Sequence, residues 1–323
     1  MTKQKCWLGI DCGSVGVKAA LIDEDKQLID SVYLKNQGIA DTVKEAMSIL
    51  KDDKYDVQGV ATTGSGRSFA GLLVGGDLVK TEILAHTVAT LNFYPDVKTI
   101  LDIGGEDCKI MNVQDGVLTN FVMNNICGAG TGSVIETIAS RLGVPIEEVG
   151  EIASQSTEDL EFPGKCGVFC QSAVVSRLNS GAKKPDILKG VVRALISNYL
   201  SLAKGVELKP PYVFQGATAQ NVAIVEALSE QLGEEVIVPE HCSVMGAIGS
   251  AILAYEGDIK ETKFKGFDNI SDIDYDTYNF QCTDCSNRCE VTQLYQDGKL
   301  LGSIGDRCGK WNSQVKEGYI NKT

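Results

Sequence analysis

The chain has 323 residues, of which 43% are hydrophobic and 23% are charged. This length is sufficient for two domains that each bury a core. The net charge is -13 and no basic stripe is present, which argues against nucleic acid or an anionic membrane as a partner. No apolar run approaches the roughly 18 residues of a spanning helix, and residues 1–6 lead into a strand pattern and not a signal peptide. We therefore expect a cytoplasmic protein.

Two hairpins with glycine at the turn are predicted, about ninety residues apart in the chain. The first has strands at residues 7–11 and 15–22, and the second has strands at 99–103 and 108–113. Each turn opens with an Asp-x-Gly sequence. The repetition indicates a duplicated domain with one phosphate-binding loop in each half.

The first hairpin contains residue types suited to a nucleotide phosphate. Backbone N–H groups at a glycine turn can converge on phosphate oxygens, and a strand-end aspartate can hold Mg²⁺ through water. These roles fit Asp11 for the ion, Gly13, Ser14 and Val15 for the phosphates, and Lys18 as added positive charge. No Gly-x4-Gly-Lys-Ser/Thr sequence is present, which excludes a P-loop NTPase.

In the second hairpin the same roles fall to Asp102, Gly104 and Gly105. A glycine turn before a predicted helix forms a third candidate nucleotide-binding element, at Gly216, Ala217 and Asn221. Such a turn can pack against an adenine ring and direct helix N-terminal amides at the nucleotide. The alternative is an ordinary strand-to-helix turn.

Eleven cysteines are many for such a chain. A secreted disulfide scaffold would be shorter and would carry an export signal, so clustered cysteines indicate metal binding or redox chemistry. Four isolated cysteines stand in apolar or loop positions, where we expect small core residues. These four are Cys6, Cys12, Cys108 and Cys242.

Two other cysteines, Cys127 and Cys166, each stand in a glycine-bearing segment shortly before a predicted helix. The positive N-terminal end of a helix stabilises a thiolate. Two thiolates do not complete a four-cysteine iron–sulfur site, but two copies of the chain paired about a twofold axis supply four.

Strand and helix patterns alternate up to residue 255, which predicts an α/β fold. We expect a first nucleotide-binding subdomain at 1–95, a second at 96–255 that carries Cys127 and Cys166, and a linker with a cysteine-rich tail at 256–323. The helices are predicted at 41–50, 133–142, 172–179, 187–204, 221–232 and 245–255, the fifth of them opening at Asn221.

The tail carries a second cysteine cluster, spaced as in sites for tetrahedral zinc or a further iron–sulfur cluster. Its members are Cys282, Cys285, Cys289 and Cys308. The alternative is a strand pair at 291–295 and 300–304, joined by an Asp297-Gly298 turn, with buried cysteines. A metal-stapled hairpin satisfies both interpretations.

Together these motifs resemble the acetate and sugar kinase, heat-shock chaperone and actin superfamily. Within it they look like the 2-hydroxyacyl-CoA dehydratase activators, the BadF/BadG/BcrA/BcrD type of ATPase. The resemblance covers roughly residues 5–255. It rests on the motifs at residues 11–14, 63–67, 102–107, 127–132 and 166–169.

The resemblance implies duplicated ribonuclease H-like (actin-like ATPase) domains that bind ATP or ADP with Mg²⁺. It adds Gly130, Thr131 and Gly132 as nucleotide-binding residues. It also adds Glu106, which stands where relatives often have glutamine and can orient the attacking water. Cys170 and Gln171 depart from the family pattern on the expected cluster face.

The resemblance further implies a homodimer that holds one 4Fe-4S cluster, with Cys127 and Cys166 supplied by each chain. ATP hydrolysis would drive one electron into a partner of the 2-hydroxyacyl-CoA dehydratase or double-cubane type. Ferredoxin or flavodoxin would be the electron donor.

Two other functions are compatible with the same scaffold. A metabolite kinase needs a base for the acceptor hydroxyl, and no aspartate placed for that role is left unassigned. A nucleotide-switched scaffold with a zinc-binding tail would leave Cys127 and Cys166 unexplained.

Overall fold

The chain divides into two compact units that are not contiguous in sequence. One unit combines Met1–Glu82 with Ser250–Thr323, and the other is Ile83–Gly249. The division into subdomains at 1–95, 96–255 and 256–323 stays a prediction. The computed structural model describes residues 3–124, 131–271 and 274–311.

Five strands form the main sheet of the first unit: β1 (Gln4–Cys12), β2 (Gly16–Ile22), β3 (Leu28–Lys35), β4 (Tyr55–Thr63) and β5 (Leu78–Val79). Their order is β3-β2-β1-β4-β5. The pairs β1–β2 and β2–β3 are antiparallel, whereas β4 pairs in parallel with β1 and β5. Two helices, α1 (Ile39–Leu50) and α2 (Arg67–Val74), pack their apolar residues on this sheet.

The second unit contains another five-stranded sheet: β6 (Thr99–Ile103), β7 (Cys108–Gln114), β8 (Val117–Met123), β9 (Tyr212–Gln215) and β10 (Val236–Ile237). Its order is β10-β9-β6-β7-β8. Read from the antiparallel end, both sheets have the same connectivity: three antiparallel strands, then two parallel ones. The predicted α/β fold and the predicted duplication of the hairpin are confirmed.

Six helices in the described part of the second unit pack on this sheet, the first of them in a smaller core and the other five in the larger core. They are α3 (Glu82–Phe93), α4 (Gly132–Leu142), α5 (Val149–Ser154), α6 (Gly167–Asn179), α7 (Lys184–Leu200) and α8 (Val222–Leu232). Helix α9 (Met245–Glu256) then carries the chain back into the first unit.

Helix α6 begins at Gly167, earlier than the predicted range 172–179. The prediction missed the first turn because its apolar residues face outward and do not fit the helical hydrophobic pattern. Val168 and Phe169 are exposed on this turn. The earlier start makes Cys166 the residue that precedes the first helical residue, Gly167.

The four cysteines predicted to be core residues are all buried. Burial raises the pKa of Cys6, Cys12 and Cys108 to about 12 and also raises the pKa of Cys242. These thiols therefore stay protonated at neutral pH, and the prediction is confirmed.

The tail forms a short helix and a third small sheet: α10 (Phe267–Ser271), β11 (Tyr275–Gln281), β12 (Glu290–Gln296) and β13 (Lys299–Ile304). The strands are antiparallel in the order β11-β12-β13, and β12 and β13 are the predicted hairpin. Ile270 and Leu294 are buried in the core of the first unit. Since the tail supplies core residues to this unit, it is more than an appended module.

The segment before the small sheet is fixed to the first unit by Asp77. One carboxylate oxygen accepts from the Val60 N–H (2.9 Å) and from the Thr262 hydroxyl (2.7 Å). The other oxygen accepts from the Lys263 N–H at 2.8 Å. The segment predicted as a linker is therefore hydrogen bonded to the first unit at Thr262 and Lys263.

We expect Asp77→Ala to lower the free energy of unfolding by about 2 kcal/mol, because three donors lose a charged acceptor. Limited proteolysis should then cut near Thr262 faster than in the wild type. The matched control is Asp53→Ala, which removes an exposed carboxylate from the same unit. Equal denaturation midpoints and equal cleavage rates for the two variants would contradict the anchoring role.

Candidate functional site

The first predicted phosphate loop is a tight turn at the end of β1. The Gly13 N–H donates to the Gly16 carbonyl at 3.0 Å, and the Asn36 amide donates to the Gly13 carbonyl at 2.9 Å. Ser14 is exposed, and Val15 is half-buried. The turn thus presents backbone to solvent above a fixed base, as phosphate binding requires.

A buried charge pair lies beneath this turn. Asp11 is 6% exposed, and its Oδ2 atom lies 3.2 Å from Lys18 Nζ on the opposite strand. A Cβ atom on Gly13 would lie 3.5 Å from the same Nζ atom. The Lys18 ammonium therefore lies beside the loop, where it can contribute positive charge toward a phosphate.

The second loop repeats this arrangement with one more carboxylate. Lys109 Nζ lies 3.1 Å from Asp102 Oδ2 and 3.0 Å from Asp107 Oδ1. The Gly104 N–H donates to the Asp107 carbonyl at 2.8 Å and closes the turn. Gly105 is half-buried and Glu106 is exposed at its tip.

Tyr199 of α7 fixes the base of the second hairpin. Its hydroxyl is fully buried, accepts from the Asp102 N–H at 3.1 Å and donates to the Lys109 carbonyl at 2.8 Å. Burial and the nearby Cys108 and Asp102 raise the pKa of Tyr199 well above its ordinary value, so the hydroxyl keeps its proton.

Register makes the two loops equivalent. Asp11 lies opposite Lys18 on β2 and beside Thr63 on β4, and Asp102 lies opposite Lys109 on β7 and beside Gln215 on β9. In each unit the parallel neighbour is followed by a glycine of positive φ, 88° at Gly64 and 94° at Gly216. A Cβ atom there would lie 2.7 Å from Asp11 Oδ1 or 2.9 Å from Asp102 Oδ1, so glycine is required in both places.

The third predicted element packs against the second loop. After Gly216 the chain forms a short 3₁₀ turn that contains Ala217, and the Thr218 hydroxyl donates to the Ile103 carbonyl at 2.6 Å. Asn221 accepts from the Ala223 N–H at 3.1 Å and caps α8. Its side-chain oxygen therefore has a structural role, and its predicted contact with nucleotide stays a prediction.

The start of α4 is tied directly to the second loop. The Gly132 N–H donates to the Gly104 carbonyl, and the Ser133 N–H donates to the Gly105 carbonyl, both at 2.9 Å. Thr131 is fully buried at this junction. Of the predicted nucleotide-binding residues, Gly104, Gly105, Thr131, Gly132 and Gly216 are thus brought together.

The strand before this segment is tied to the same loop. The side-chain oxygen of Asn124 accepts from the Cys108 N–H at 2.7 Å. The side-chain NH₂ group of Asn124 donates to the Glu106 carbonyl at 3.4 Å. Cys127 and Gly130 lie outside the described residues.

Cys166 precedes α6 with extended backbone and is partly exposed. The loop before it is packed closely on α7, since a Cβ atom on Gly164 would lie 2.1 Å from the Ala194 carbonyl oxygen. A Cβ atom on Gly167 would lie 3.3 Å from a Val134 methyl group, so the first turns of α4 and α6 are neighbours. The thiol that the sequence singled out is therefore held next to the helix that leaves the second loop.

Cys170, one turn further along α6, is buried. Burial, with a smaller effect of Cys166, raises its pKa to about 11. Cys166, just before the helix, is partly exposed, whereas Cys170 within it is buried.

The tail cysteines are close in the chain but are not gathered at one point. Cys282 donates its N–H to the Cys289 carbonyl at 2.8 Å, and its thiol lies 3.6 Å from Asp284 Oδ2. Cys285 and Cys308 are exposed. In the ranges 3–124, 131–271 and 274–311, no group of three or more His, Cys, Asp or Glu side chains is arranged to hold a metal ion. In the positions that the structure gives them, the four tail cysteines do not form a site for zinc or a second cluster. The metal site in the tail stays a prediction.

Sequence reasoning missed Lys109, Asp107 and Thr218. Lys109 stands seven residues after Asp102, as Lys18 stands seven residues after Asp11. This spacing could have identified it, whereas its contact with both Asp102 and Asp107 depends on the fold.

Comparison with known proteins agrees with this geometry. Residues 8–254 match the model of the BadF/BadG/BcrA/BcrD ATPase family. This chain belongs to that family. The family match ends before the tail, so the third sheet and its cysteines are additional to it.

The chain is 33% identical to the (R)-2-hydroxyglutaryl-CoA dehydratase activating ATPase of Acidaminococcus fermentans, over 77% of this chain and 96% of the relative. It is 32% identical to the activator of lactoyl-CoA dehydratase from Anaerotignum propionicum, over 79% of this chain and 99% of that relative. The structure of the activator of 2-hydroxyisocaproyl-CoA dehydratase from Clostridium difficile with bound ADPNP superposes with a TM-score of 0.72. It is 28% identical and covers 78% of this chain and 94% of its own.

The fold is that of the actin-like ATPases, and ATP or ADP binding is supported by the family and by the ADPNP-bound structure. Among the helices in the described ranges, none combines the length and apolarity needed to cross a membrane.

We expect Gly216→Ala to weaken ADP binding about tenfold or more, because the added Cβ strains the backbone and approaches Asp102. Gly233→Ala is the matched control, since Gly233 also has positive φ (74°) but no atom lies within 4 Å of its added Cβ. Isothermal titration of both variants measures the difference. Equal ADP affinities would exclude a role for the Gly216 turn in the nucleotide site.

Proposed function

We propose that this ATPase is a one-electron reductase of the dehydratase-activator type. In the proposal it acts as a homodimer with a bridging 4Fe-4S cluster held by Cys127 and Cys166 of each chain. ATP hydrolysis is coupled to low-potential electron transfer into an iron–sulfur protein of the 2-hydroxyacyl-CoA dehydratase or double-cubane type. Ferredoxin or flavodoxin is the proposed donor.

One observation carries the proposal. The second loop accepts two backbone hydrogen bonds from Gly132 and Ser133, at the start of the helix that follows Cys127. A displacement of Gly104 and Gly105 therefore acts on the segment that bears Cys127. A metabolite kinase has no need of a cysteine in the chain segment between Asn124 and Gly132.

The chain's own residues fit a magnesium nucleotide. In the first unit the Ser14 and Val15 amides, and in the second unit the Gly105 amide, can donate to phosphate oxygens, and Lys18 can add positive charge. Asp11 and Asp102 are carboxylates suited to Mg²⁺ through its water shell. Glu106 is exposed at the loop tip, where its carboxylate can orient an attacking water.

Cys166 fits an iron–sulfur ligand better than the buried cysteines do. It is accessible, and it stands at the N-terminal end of α6, where the helix dipole favours a thiolate. When bound, the cluster would accept and pass on one electron at low potential. Gly164 and the packing on α7 hold the Cys166 loop in place.

The surface next to Cys166 supports contact with another protein. Val168 and Phe169 have 69% and 68% of their surface exposed. Adjacent exposed apolar side chains on a soluble protein mark interaction sites. In the proposal this surface belongs to the dimer contact or to the contact with the electron acceptor.

Cys166→Ala should reduce the iron content of anaerobically purified protein from about two atoms per chain to nearly none, since four irons would be shared by two chains. ADP binding should be unchanged, because Cys166 does not belong to the phosphate loops. The matched control is Cys242→Ala, which removes a buried thiol from the same unit and should keep the iron.

A brown chromophore that survives Cys166→Ala would refute the proposed ligand set. ATP turnover that requires an added sugar or carboxylic acid would instead indicate a metabolite kinase.

A further inference from the structure

The two loop lysines occupy equivalent positions but differ in burial. Lys18 faces Asp11 and Lys109 faces Asp102 in the same register. The Lys18 side chain is 18% exposed, whereas that of Lys109 is 2% exposed. The duplication therefore kept the lysine in both units and gave the two copies different surroundings.

Lys109 is surrounded by negative charge. Its ammonium lies within 3.1 Å of Asp102 and 3.0 Å of Asp107, and both carboxylates belong to one turn. The Tyr199 hydroxyl bonds to the backbone of Asp102 and of Lys109, which fixes the two strands under the charges. A buried ammonium this close to both carboxylates offsets one of their two negative charges and lowers the local negative potential.

Without that ammonium, the Asp102 and Asp107 carboxylates would face the same position without a positive charge between them. Oxygen ligands of this kind attract divalent cations such as Mg²⁺. The ion would then bind to the protein without nucleotide.

We infer that Lys109 is a positioning residue that keeps Asp102 and Asp107 from binding Mg²⁺ on their own, so that the ion binds only together with nucleotide phosphates. The inference rests on the proposed function in one respect, namely that Mg²⁺ and nucleotide bind at the second loop. Lys18, beside the exposed first turn, has a different role as a phosphate contact.

The test is Mn²⁺ binding to the oxidised, anaerobically purified chain without nucleotide, measured by EPR. Lys109→Met should bind one Mn²⁺ at least tenfold more tightly than the wild type, and the double variant K109M/D107N should lose this gain. Lys18→Met is the matched control and should show weaker ADP binding with no gain of Mn²⁺ binding. A Lys109→Met protein that binds Mn²⁺ no better than the wild type overturns the inference, as does a gain that persists in the double variant.

If Lys109→Met does not fold, Asp107→Asn tests the same point at a half-exposed side chain. The ammonium then acts on Asp102 alone, so the Mg²⁺ concentration for half-maximal ADP binding should rise severalfold. Asp115→Asn, on the exposed β7–β8 turn, should leave it unchanged, and equal values for the two variants would overturn the inference. A wild type that binds no ADP with Mg²⁺ contradicts the proposed function instead, whatever the Mn²⁺ result.

Discussion

Two backbone hydrogen bonds, from Gly132 to Gly104 and from Ser133 to Gly105, are the constraint on which this account depends. They join the phosphate loop of the second unit to the first turn of α4. Asn124 binds the same loop from the preceding strand, so both flanks of the segment that contains Cys127 are attached to one turn. Because main-chain bonds of this length leave little freedom, a change in the loop must change the flanks as well.

The two units use one hairpin design for different electrostatic purposes. Each has an aspartate opposite a lysine and beside a strand that ends in a positive-φ glycine. The first unit places its ammonium at the edge of an open turn, whereas the second surrounds it with carboxylates. The backbone geometry of the turn is the same in both units, and the side chains around the lysine differ.

Much of the fold and of the site could be predicted from the chain alone. Asp-x-Gly at a strand end determined both hairpins, and apolar surroundings identified Cys12 and Cys108 as core residues, because these features depend on neighbours in sequence. The contacts of Lys109 with two carboxylates were missed because they depend on the fold. The packing of the tail was missed for a similar reason: Ile270 meets its core partners only in the folded unit. Features that depend on residues close in the sequence could be predicted, whereas contacts between residues far apart in the sequence could not.

The most direct test of the proposed coupling is the reduction potential of the proposed iron–sulfur centre in anaerobic protein, measured once with ADP and once with a non-hydrolysable ATP analogue. We predict two different potentials. The additional phosphate would act on Gly104 and Gly105, and Gly132, which is bonded to Gly104, would transmit the change to the segment that contains Cys127. Gly216→Ala, with its nucleotide turn disturbed, should reduce the difference at the same ligand concentration. Identical potentials in the two nucleotide states of the wild type would contradict the coupling between the phosphate loop and the cysteine segment.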